Sequence, residues 1–556
     1  MSRRQNWRTI LRKGFVLPKI DRDTSFPYLV SLVRKAVQDH LLQSKSIRSY
    51  LAYLPKGPGT YCPNSKVSVL QEYISSQNSE IDRSDPVVFA AFMLKIIVPT
   101  VDFGHQQVLS AVKMIDDINP AEKTILRTSA IIAQSVNRLW LKWFAAVVLP
   151  FQKMTLLERQ NLESRAVGYL PKPDYTVFDY DSDTESFSNR KTWAEAFPRE
   201  IDIICRRLKI FKWSKINSKQ GSVFPAYFKA LGRAYGCKKI NQLKKYWEKV
   251  DQLWFKINKE SRILPVHNMM YGYEHPFCVS PEFRLEIRVS NENIIFGDIR
   301  MAVESCVKSL IDTECLKINN SILALQKIEV GMFECAIQSG AAINSPNGGE
   351  MISNSKKEGG KILLAHSMLQ STGIYFAREI RRNCTFRTKK NLQDCFHQNA
   401  ILYYYLGHEF GHLICGAQDI KLEEAKASAI SILANEYMED TPEKRLSLVA
   451  VALGDVLSIL NKSALNELTT DDYTRECLML ANTLFRSGVI KLTKRGIRVN
   501  LEQARSRAWF EQLEEFVYEL LLAYRDNDKV NLERLTKRYC RKIGPVAELI
   551  DWINRE

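Results

Sequence analysis

The amino-acid sequence predicts an α+β fold that is organised in two lobes. The chain has 556 residues, whereas a single hydrophobic core stops growing at about 250–300 residues. Residues 283–289, FRLEIRV, alternate apolar and charged side chains as a half-buried strand does, and strand-like segments continue at 327–333 and 361–366. Before and after this middle third, apolar residues recur at three- and four-residue steps, which is typical of helices.

The helical pattern is clearest in residues 238–260. Leu243, Trp247 and Trp254 recur there at the spacing that places side chains on one helix face. From about residue 392 to the end, the pattern is again helical. We therefore expect helices to form most of the fold and strands to concentrate in the middle third.

The chain is basic, with 79 Lys and Arg residues against 62 Asp and Glu residues and a formal net charge of +17. Such a balance favours polyanionic partners in general. The basic residues occur as scattered pairs, for example Arg381-Arg382 and Lys389-Lys390, and no zinc-finger spacing or RNP motif accompanies them. We therefore expect no specific nucleic-acid partner.

The cysteines and apolar runs indicate the compartment. Twelve cysteines without a CxxC pair are typical of reduced thiols in an intracellular protein, and we expect a cytoplasmic location. The longest apolar runs, at 86–99 and 143–150, are too short or too interrupted for a membrane span. Residues 1–20 are basic with no acid before Asp21, which fits a solvated arm or an organelle presequence.

A metal-binding pattern lies in residues 406–428, LGHEFGHLICGAQDIKLEEAKAS. Side chains four residues apart point in nearly the same direction from a helix, so His408 and His412 can place two imidazole nitrogens on one ion. Zinc in a hydrolytic site has three protein ligands and one open position. The pattern therefore predicts one zinc ion per chain and requires a third ligand.

The glutamate pair Glu423 and Glu424 can supply that third ligand. We expect the helix with the histidines to end near Gly416, and the glutamates follow about one helical turn into the next helix. An antiparallel helix hairpin then sets His412 and the pair at the same height. Either glutamate can complete the ligand shell, and the other can accept the N–H of a ligand histidine and fix its tautomer.

Glu409 is predicted to be the general base rather than a ligand. Its side chain points about 100° away from His408 around the helix, where it can take a proton from a water molecule and pass it to a leaving amine. The alternative interpretation is a helix in which the HExxH spacing arises by chance and the histidines pack at an interface. The glutamate pair at hairpin spacing favours the metal site.

These residues resemble the dipeptidyl-peptidase III family of zinc metallopeptidases. The family has a Glu-Glu pair followed by a small residue, a basic residue and alanine, which corresponds to EEAKAS at 423–428. GAAINSPNGGE at 340–350 resembles the family's G-x-N-[IL]-P-N segment. YEHPFCVSPEF at 273–283 resembles its Tyr-x-Asp-Pro-Phe/Tyr segment.

The resemblance implies roles for further residues. Glu424 would be the metal ligand, and Tyr273 would donate a hydrogen bond near the scissile carbonyl. Asn344 and Asn347 would bind the N-terminal part of a short peptide substrate, and a strand edge at 340–347 could recruit it as an added strand. Without the resemblance, this stretch is better interpreted as a turn-rich loop with no ligand.

The resemblance also implies the arrangement of the lobes, with a mostly helical zinc-binding lobe that faces a mixed α/β lobe across a cleft. The boundaries are expected to hold to within about 15 residues. The mixed α/β lobe would comprise residues 1–290 and 328–376, and the helical lobe residues 291–327 and 377–556.

Three features depart from the family pattern. The usual histidine motif has one more residue between the histidines, the glutamate two positions before the tyrosine is Tyr271 here, and no histidine follows His412. The leading hypothesis is a zinc peptidase that cleaves near the N-terminus of short peptides. The alternatives are a weakly active homologue that retains the metal and binds peptides or proteins, and a regulatory metallopeptidase linked to DNA-bound repressors.

Overall fold

The structure is a computed structural model of the chain. It describes residues 7–45, 96–148, 175–177, 180–181, 186–187, 190–210, 223–257, 261–268, 278–290, 293–311, 316–344, 349–353, 359–396, 398–416, 420–463 and 472–555. The predicted α+β fold is confirmed, and the chain forms two compact units. None of the helices in the described ranges combines the length and the apolar character that crossing a membrane requires.

The first unit comprises residues 1–289 and 333–347. Its helices are α1 (Trp7–Arg12), α2 (Phe26–Gln43), α3 (Val98–Ala111), α4 (Pro120–Trp143), α5 (Trp193–Ala196), α6 (Pro198–Ile210), α7 (Val223–Tyr235) and α8 (Ile240–Trp254). Its strands are β1 (Thr176–Val177), β2 (Tyr180–Asp181), β3 (Ser186–Phe187), β4 (Lys191–Thr192), β5 (Ile263–His267) and β6 (Glu282–Ser290). The strand β7 (Ile328–Gly340) passes from the second unit into the first and is followed by the short helix α11 (Ala341–Asn344).

The second unit comprises residues 290–332 and 348–556. Its helices are α9 (Asn293–Leu310), α10 (Leu316–Leu325), α12 (His366–Asn383), α13 (Phe386–Leu392), α14 (Gln398–Leu413), α15 (Ile420–Met438), α16 (Pro442–Ser463), α17 (Asp472–Arg486), α18 (Leu501–Arg505), α19 (Ala508–Asp526), α20 (Lys529–Tyr539) and α21 (Pro545–Arg555). Its strands, besides the start of β7, are β8 (Gly349–Ser353), β9 (Gly360–Ala365), β10 (Ile490–Thr493) and β11 (Gly496–Val499).

The predicted helices and strands have clear local causes. In α8, the predicted apolar face is buried, with Trp247 and Trp254 almost fully enclosed. At the start of α4, the Asn119 side chain accepts a hydrogen bond from the Glu122 amide, and the Glu122 carboxylate accepts one from the Asn119 amide. This reciprocal cap satisfies two amide groups that the first helical turn leaves without partners.

The second unit differs from the sequence prediction in one boundary and in one segment of secondary structure. Residues 348–376 belong to the second unit, whereas the sequence prediction placed them in the first lobe; β8 packs against α14, and Phe376 of α12 packs against Gly454 of α16. The prediction of helices alone after residue 392 is wrong at 490–499. There, β10 and β11 form an antiparallel hairpin whose apolar residues face the core.

In the first unit, β5 pairs antiparallel with β6, and β6 lies beside β7. The end of β7 is fixed by side chains rather than left open. The backbone N–H of Gln338 donates to His105 Nε2 at 3.1 Å, and that of Gly340 donates to Asn137 Oδ1 at 2.8 Å. Burial lowers the pKa of His105 to about 3, which keeps this ring neutral and able to accept.

The predicted strand edge at 340–347 is therefore wrong for its described part. The strand ends at Gly340, whose φ of 66° is left-handed, and residues 341–344 are helical. A Cβ at position 340 would lie 1.9 Å from the Pro281 carbonyl oxygen, so only glycine permits this sharp exit from the strand.

Candidate metal centre

The metal-binding pattern lies on two neighbouring helices of the second unit, α14 and α15. They pack closely because small residues face each other at the contact. A Cβ at Gly407 would lie 2.6 Å from Ser431 Oγ, and a Cβ at Gly411 would lie 2.7 Å from the Ala427 Cα. Two glycines four residues apart thus meet two small residues four residues apart, and this close approach brings the histidines within reach of the glutamates.

The turn between the helices begins as the sequence predicts. Helix α14 ends at Leu413, and Cys415 and Gly416 have φ values of 60° and 61°. The ammonium group of Lys426, which is buried on α15, donates to the carbonyl oxygens of Ile414 at 2.6 Å and Gly416 at 3.1 Å. Lys426 therefore satisfies carbonyl groups that the helix end leaves open and ties the turn to the second helix.

Three donor atoms converge between the helices. His408 Nε2 lies 3.0 Å from Glu424 Oε2 and 3.0 Å from His412 Nε2, and His412 Nε2 lies 3.5 Å from Glu424 Oε2. Tetrahedral ligands that lie 2.0–2.2 Å from a zinc ion are about 3.3–3.6 Å from one another. The 3.5 Å separation lies in this range and the two 3.0 Å separations are slightly shorter, so the three atoms form a group that could hold one metal ion.

The second nitrogen of His412 is held by Glu423. Its Nδ1 lies 3.0 Å from Glu423 Oε1, and Glu423 also forms an ion pair with Lys426, Nζ to Oε1, at 2.9 Å. When the Nε2 atom of His412 binds a metal, its Nδ1–H donates to this carboxylate, which fixes the tautomer and the ring orientation. This is the arrangement that the sequence predicts for the glutamate that is not a ligand.

The second nitrogen of His408 is held in a different way. Its Nδ1 lies 2.8 Å from Ser428 Oγ, and the Ser428 hydroxyl donates to the Glu476 carboxylate of α17. Tyr404 donates to Asp455 Oδ2 at 3.0 Å and lies 3.1 Å from Ser428 Oγ. All four of these partners are buried, so His408 is positioned by a polar network that α14 itself and the helices α15, α16 and α17 supply.

The acidic surroundings shift the pKa values of this site. Burial lowers the pKa of His408, but the hydrogen bond and charge of Glu424 outweigh it and raise the pKa to about 10. Burial also raises the pKa of Glu424, but the hydrogen bond to His408 outweighs it and the pKa is lowered. Burial and the nearby Asp455 raise the pKa of Glu476 well above its ordinary value. The site around His408 therefore favours a positive charge.

Glu409 is buried beside the three donor atoms and is not one of them. Burial raises the pKa of its carboxyl group, although the charges of His412 and His408 oppose this shift. On the other side, the carboxylate approaches Gly349 of β8 so closely that a Cβ there would lie 2.7 Å from Glu409 Oε1. Glycine at 349 therefore leaves the space that this carboxylate occupies.

The roles of the substrate residues that the resemblance implies remain predictions. Tyr273 and Asn347 lie outside the described residues, and Asn344 is described only as the last residue of α11. Conversely, the sequence prediction missed Ser428, Glu476 and Gly349. Ser428 stood within the quoted motif and Gly349 within a glycine pair, but nothing in the sequence pointed to Glu476, 48 residues beyond its partner.

Comparisons with known proteins identify similar folds but no sequence relatives. No protein-family model and no curated protein matches the sequence. The structure is similar to DPP III from Caldithrix abyssi, with a TM-score of 0.58 and 12% identity over 78% of this chain and 93% of that chain. It is also similar to dipeptidyl-peptidase III from Corallococcus sp. strain EGB, with a TM-score of 0.56 and 12% identity over 79% of this chain and 91% of that chain. The chain therefore has a fold like that of dipeptidyl-peptidase III.

Proposed function

We propose that the protein is a zinc-dependent peptidase of the dipeptidyl-peptidase III type that cleaves near the N-terminus of short peptides. The observation that carries the proposal is the convergence of His408, His412 and Glu424, whose donor atoms lie close enough together to share one metal ion. The fold similarity and the buried carboxylate of Glu409 beside the three donors support it.

The residues of the site divide the chemistry among them. A zinc ion supplies Lewis acidity, which lowers the pKa of a water molecule and polarises a peptide carbonyl. His408, His412 and Glu424 hold the ion, and Ser428 and Glu423 orient the two imidazole rings. The carboxylate of Glu409 accepts a proton from the attacking water and returns it to the leaving amine. Its burial raises its pKa toward the working range of a general base.

The proposal is tested by metal content and by hydrolysis of peptides with a free N-terminus. The purified protein is expected to contain about one zinc ion per chain and to release dipeptides from short peptides. Glu409→Gln is expected to keep the zinc and lose at least about 100-fold in turnover, because it removes the proton acceptor. Glu443→Gln, at an exposed position of α16, is the matched control and is expected to leave both unchanged. A metal-free protein, or full turnover in Glu409→Gln, contradicts the proposal.

A second candidate is a metal-retaining homologue that binds peptides with little turnover. It is favoured by the absence of any histidine after His412 and by Tyr271 at the position of the family's glutamate. Loss of transition-state stabilisation with ground-state binding retained would produce such a protein. Titration calorimetry with the same peptides distinguishes the two: zinc content and peptide binding without dipeptide release favour the second candidate.

A further inference from the structure

A basic surface lies in the second unit and includes none of the residues of the candidate metal centre. It is formed by residues 380–393, at the end of α12 and in α13, and by residues 486–501, around the β10–β11 hairpin. Neither segment contains an acidic residue, and Glu379, Asp394 and Glu502 lie just beyond their ends. The exposed cations of the basic surface are Arg381, Arg382, Arg387, Lys390, Arg486, Lys491, Lys494, Arg495 and Arg498, and Lys389 is partly exposed.

The two segments are about 100 residues apart in the chain but are firmly joined. The Thr385 N–H donates to the Ile497 carbonyl at 2.9 Å, and the Val499 N–H donates to Thr388 Oγ1 at 3.1 Å. Gly496 has a φ of 107°, and a Cβ there would lie 2.7 Å from the Asn383 carbonyl oxygen. The hairpin is thus seated on the helix end by buried contacts, and the cations are carried on a rigid scaffold.

The outer face of the hairpin carries charge that its fold does not require. Lys491 and Arg498 are directly opposite each other in the strand register, and both are exposed. Like charges in such cross-strand pairs destabilise a sheet. Lys494 and Arg495 form the exposed turn between the strands. Among the residues that the structure describes, no carboxylate forms an ion pair with any of these four cations.

Helix dipoles account for only part of the basic surface. Arg381 and Arg382 lie in the last turn of α12, and Lys389 and Lys390 lie in the last turn of α13, where the negative end of the helix dipole favours cations. The four cations of the hairpin have no such partner. Their concentration in one short hairpin therefore indicates a polyanionic ligand rather than a requirement of the fold.

An exposed aromatic ring lies within the same surface. Phe386 is 82% exposed, and it is the large hydrophobic side chain that residues 380–393 and 486–501 leave in solvent. Its neighbours Thr385 and Arg387 belong to the segment that is bonded to the hairpin. Aromatic rings between cations are typical of surfaces that hold single-stranded nucleic acid, where the cations contact phosphates and the ring stacks on a base.

We propose that this basic surface binds single-stranded nucleic acid. Arginine and lysine of the hairpin and of the two helix ends neutralise the phosphates, and Phe386 stacks on a base. An anionic lipid surface is less well matched, because insertion into a membrane interface uses a stripe of several apolar side chains and the basic surface exposes a single one. Binding requires no zinc and no peptidase activity.

The test is fluorescence anisotropy of a labelled single-stranded oligonucleotide of about 20 nucleotides, titrated with the full chain at several salt concentrations. The wild type is expected to bind with an affinity that falls steeply with salt. The variant K491E/R498E is expected to lose at least about tenfold in affinity and to show a log–log salt slope that is shallower by about 1.4, which corresponds to two lost phosphate contacts. K494E/R495E in the turn is expected to give a similar result.

Two further variants distinguish binding at the basic surface from attraction of the oligonucleotide by the net charge of the whole chain. K244E/K245E reverses two exposed lysines of α8 and changes the net charge equally, so its affinity is expected to stay within about twofold of the wild type. Phe386→Ala is expected to weaken binding at least about fivefold without a change of salt slope. Three outcomes overturn the proposal: an equal loss in K244E/K245E, no effect of Phe386→Ala, or binding to phosphatidylserine vesicles with no oligonucleotide binding.

Discussion

The metal centre and the basic surface lie in the same unit but are built in opposite ways. The donors of the metal centre are buried or partly buried, lie within 17 residues of sequence and each have a specific hydrogen-bond partner. The cations of the basic surface are exposed, come from two distant segments and have no carboxylate partner among the described residues. Binding at the candidate metal centre depends on the positions of single atoms, whereas binding at the basic surface depends on summed charge.

This difference predicts how each region responds to substitution. A buried site in a low dielectric loses most of its binding when one atom is removed, because the other groups remain desolvated without compensation. An exposed charged surface changes in small, roughly additive steps that salt suppresses. Four measurements, from the largest expected effect to the smallest, test this contrast.

Removal of the proposed metal ligand Glu424 is expected to have the largest effect. Glu424→Ala leaves two imidazoles without the carboxylate that lies 3.0 Å from His408 Nε2, so zinc affinity is expected to fall more than about 100-fold, beyond the loss for a residue outside the ligand shell. Competition with a chromophoric chelator measures the affinity. An affinity within tenfold of the wild type would mean that Glu424 is not a ligand.

Separation of the two metal-bearing helices comes next. In Gly411→Ala, the new Cβ meets the backbone of Ala427 at 2.7 Å, so the substitution is expected to destabilise the fold by about 1–3 kcal/mol and to weaken zinc binding as well. Gly297→Ala on α9 is the matched control, because its Cβ meets nothing within 4 Å. It is expected to be neutral or stabilising by up to about 1 kcal/mol. Denaturant unfolding compares the two, and equal stability would contradict the packing argument.

Loss of the Ser428 hydroxyl, which contacts His408 Nδ1, is expected to lower metal affinity more than the stability of the fold. Ser428→Ala removes the partner of His408 Nδ1, and zinc affinity is expected to fall about 10- to 100-fold. Ser447→Ala is the control, because its hydroxyl donates to the Cys395 carbonyl and, among the described residues, bonds no group of the candidate metal centre. Chelator competition should show an unchanged affinity for the control. Equal affinities for both variants would remove Ser428 from the positioning of the ring.

The smallest effect is expected on the basic surface, and it has the opposite sign. Arg498→Gln relieves the repulsion from Lys491 directly across the hairpin and is expected to stabilise the fold by about 0.2–1 kcal/mol, with the gain reduced by salt. Arg381→Gln, in the last turn of α12, loses a favourable dipole contact and is expected to destabilise by about 0.3–1 kcal/mol. Thermal unfolding at low and high salt measures both, and a destabilised Arg498→Gln would show that the hairpin cations do not repel.

Much of the metal centre could be predicted because its geometry is local. The spacing of His408 and His412 follows from one helical repeat, and Glu424 follows from a helix hairpin with a short turn. Glycines 407 and 411 were visible in the motif, but their role in close helix packing was not. Glu476 and Gly349 come from other elements, and no local periodicity connects them to the histidines.

The sequence by itself determined the α+β class, the positions of the main helices and strands, and the pairing of two histidines with two glutamates. These depend on periodicity and on short-range spacing, which the chain carries in every window of about 15 residues. Only the tertiary structure decided that residues 348–376 join the second unit, that Ser428 links His408 to Glu476, and that two distant basic segments are hydrogen-bonded to each other. Contacts between distant segments depend on how whole elements pack, and that packing is set by summed burial and shape rather than by any local pattern.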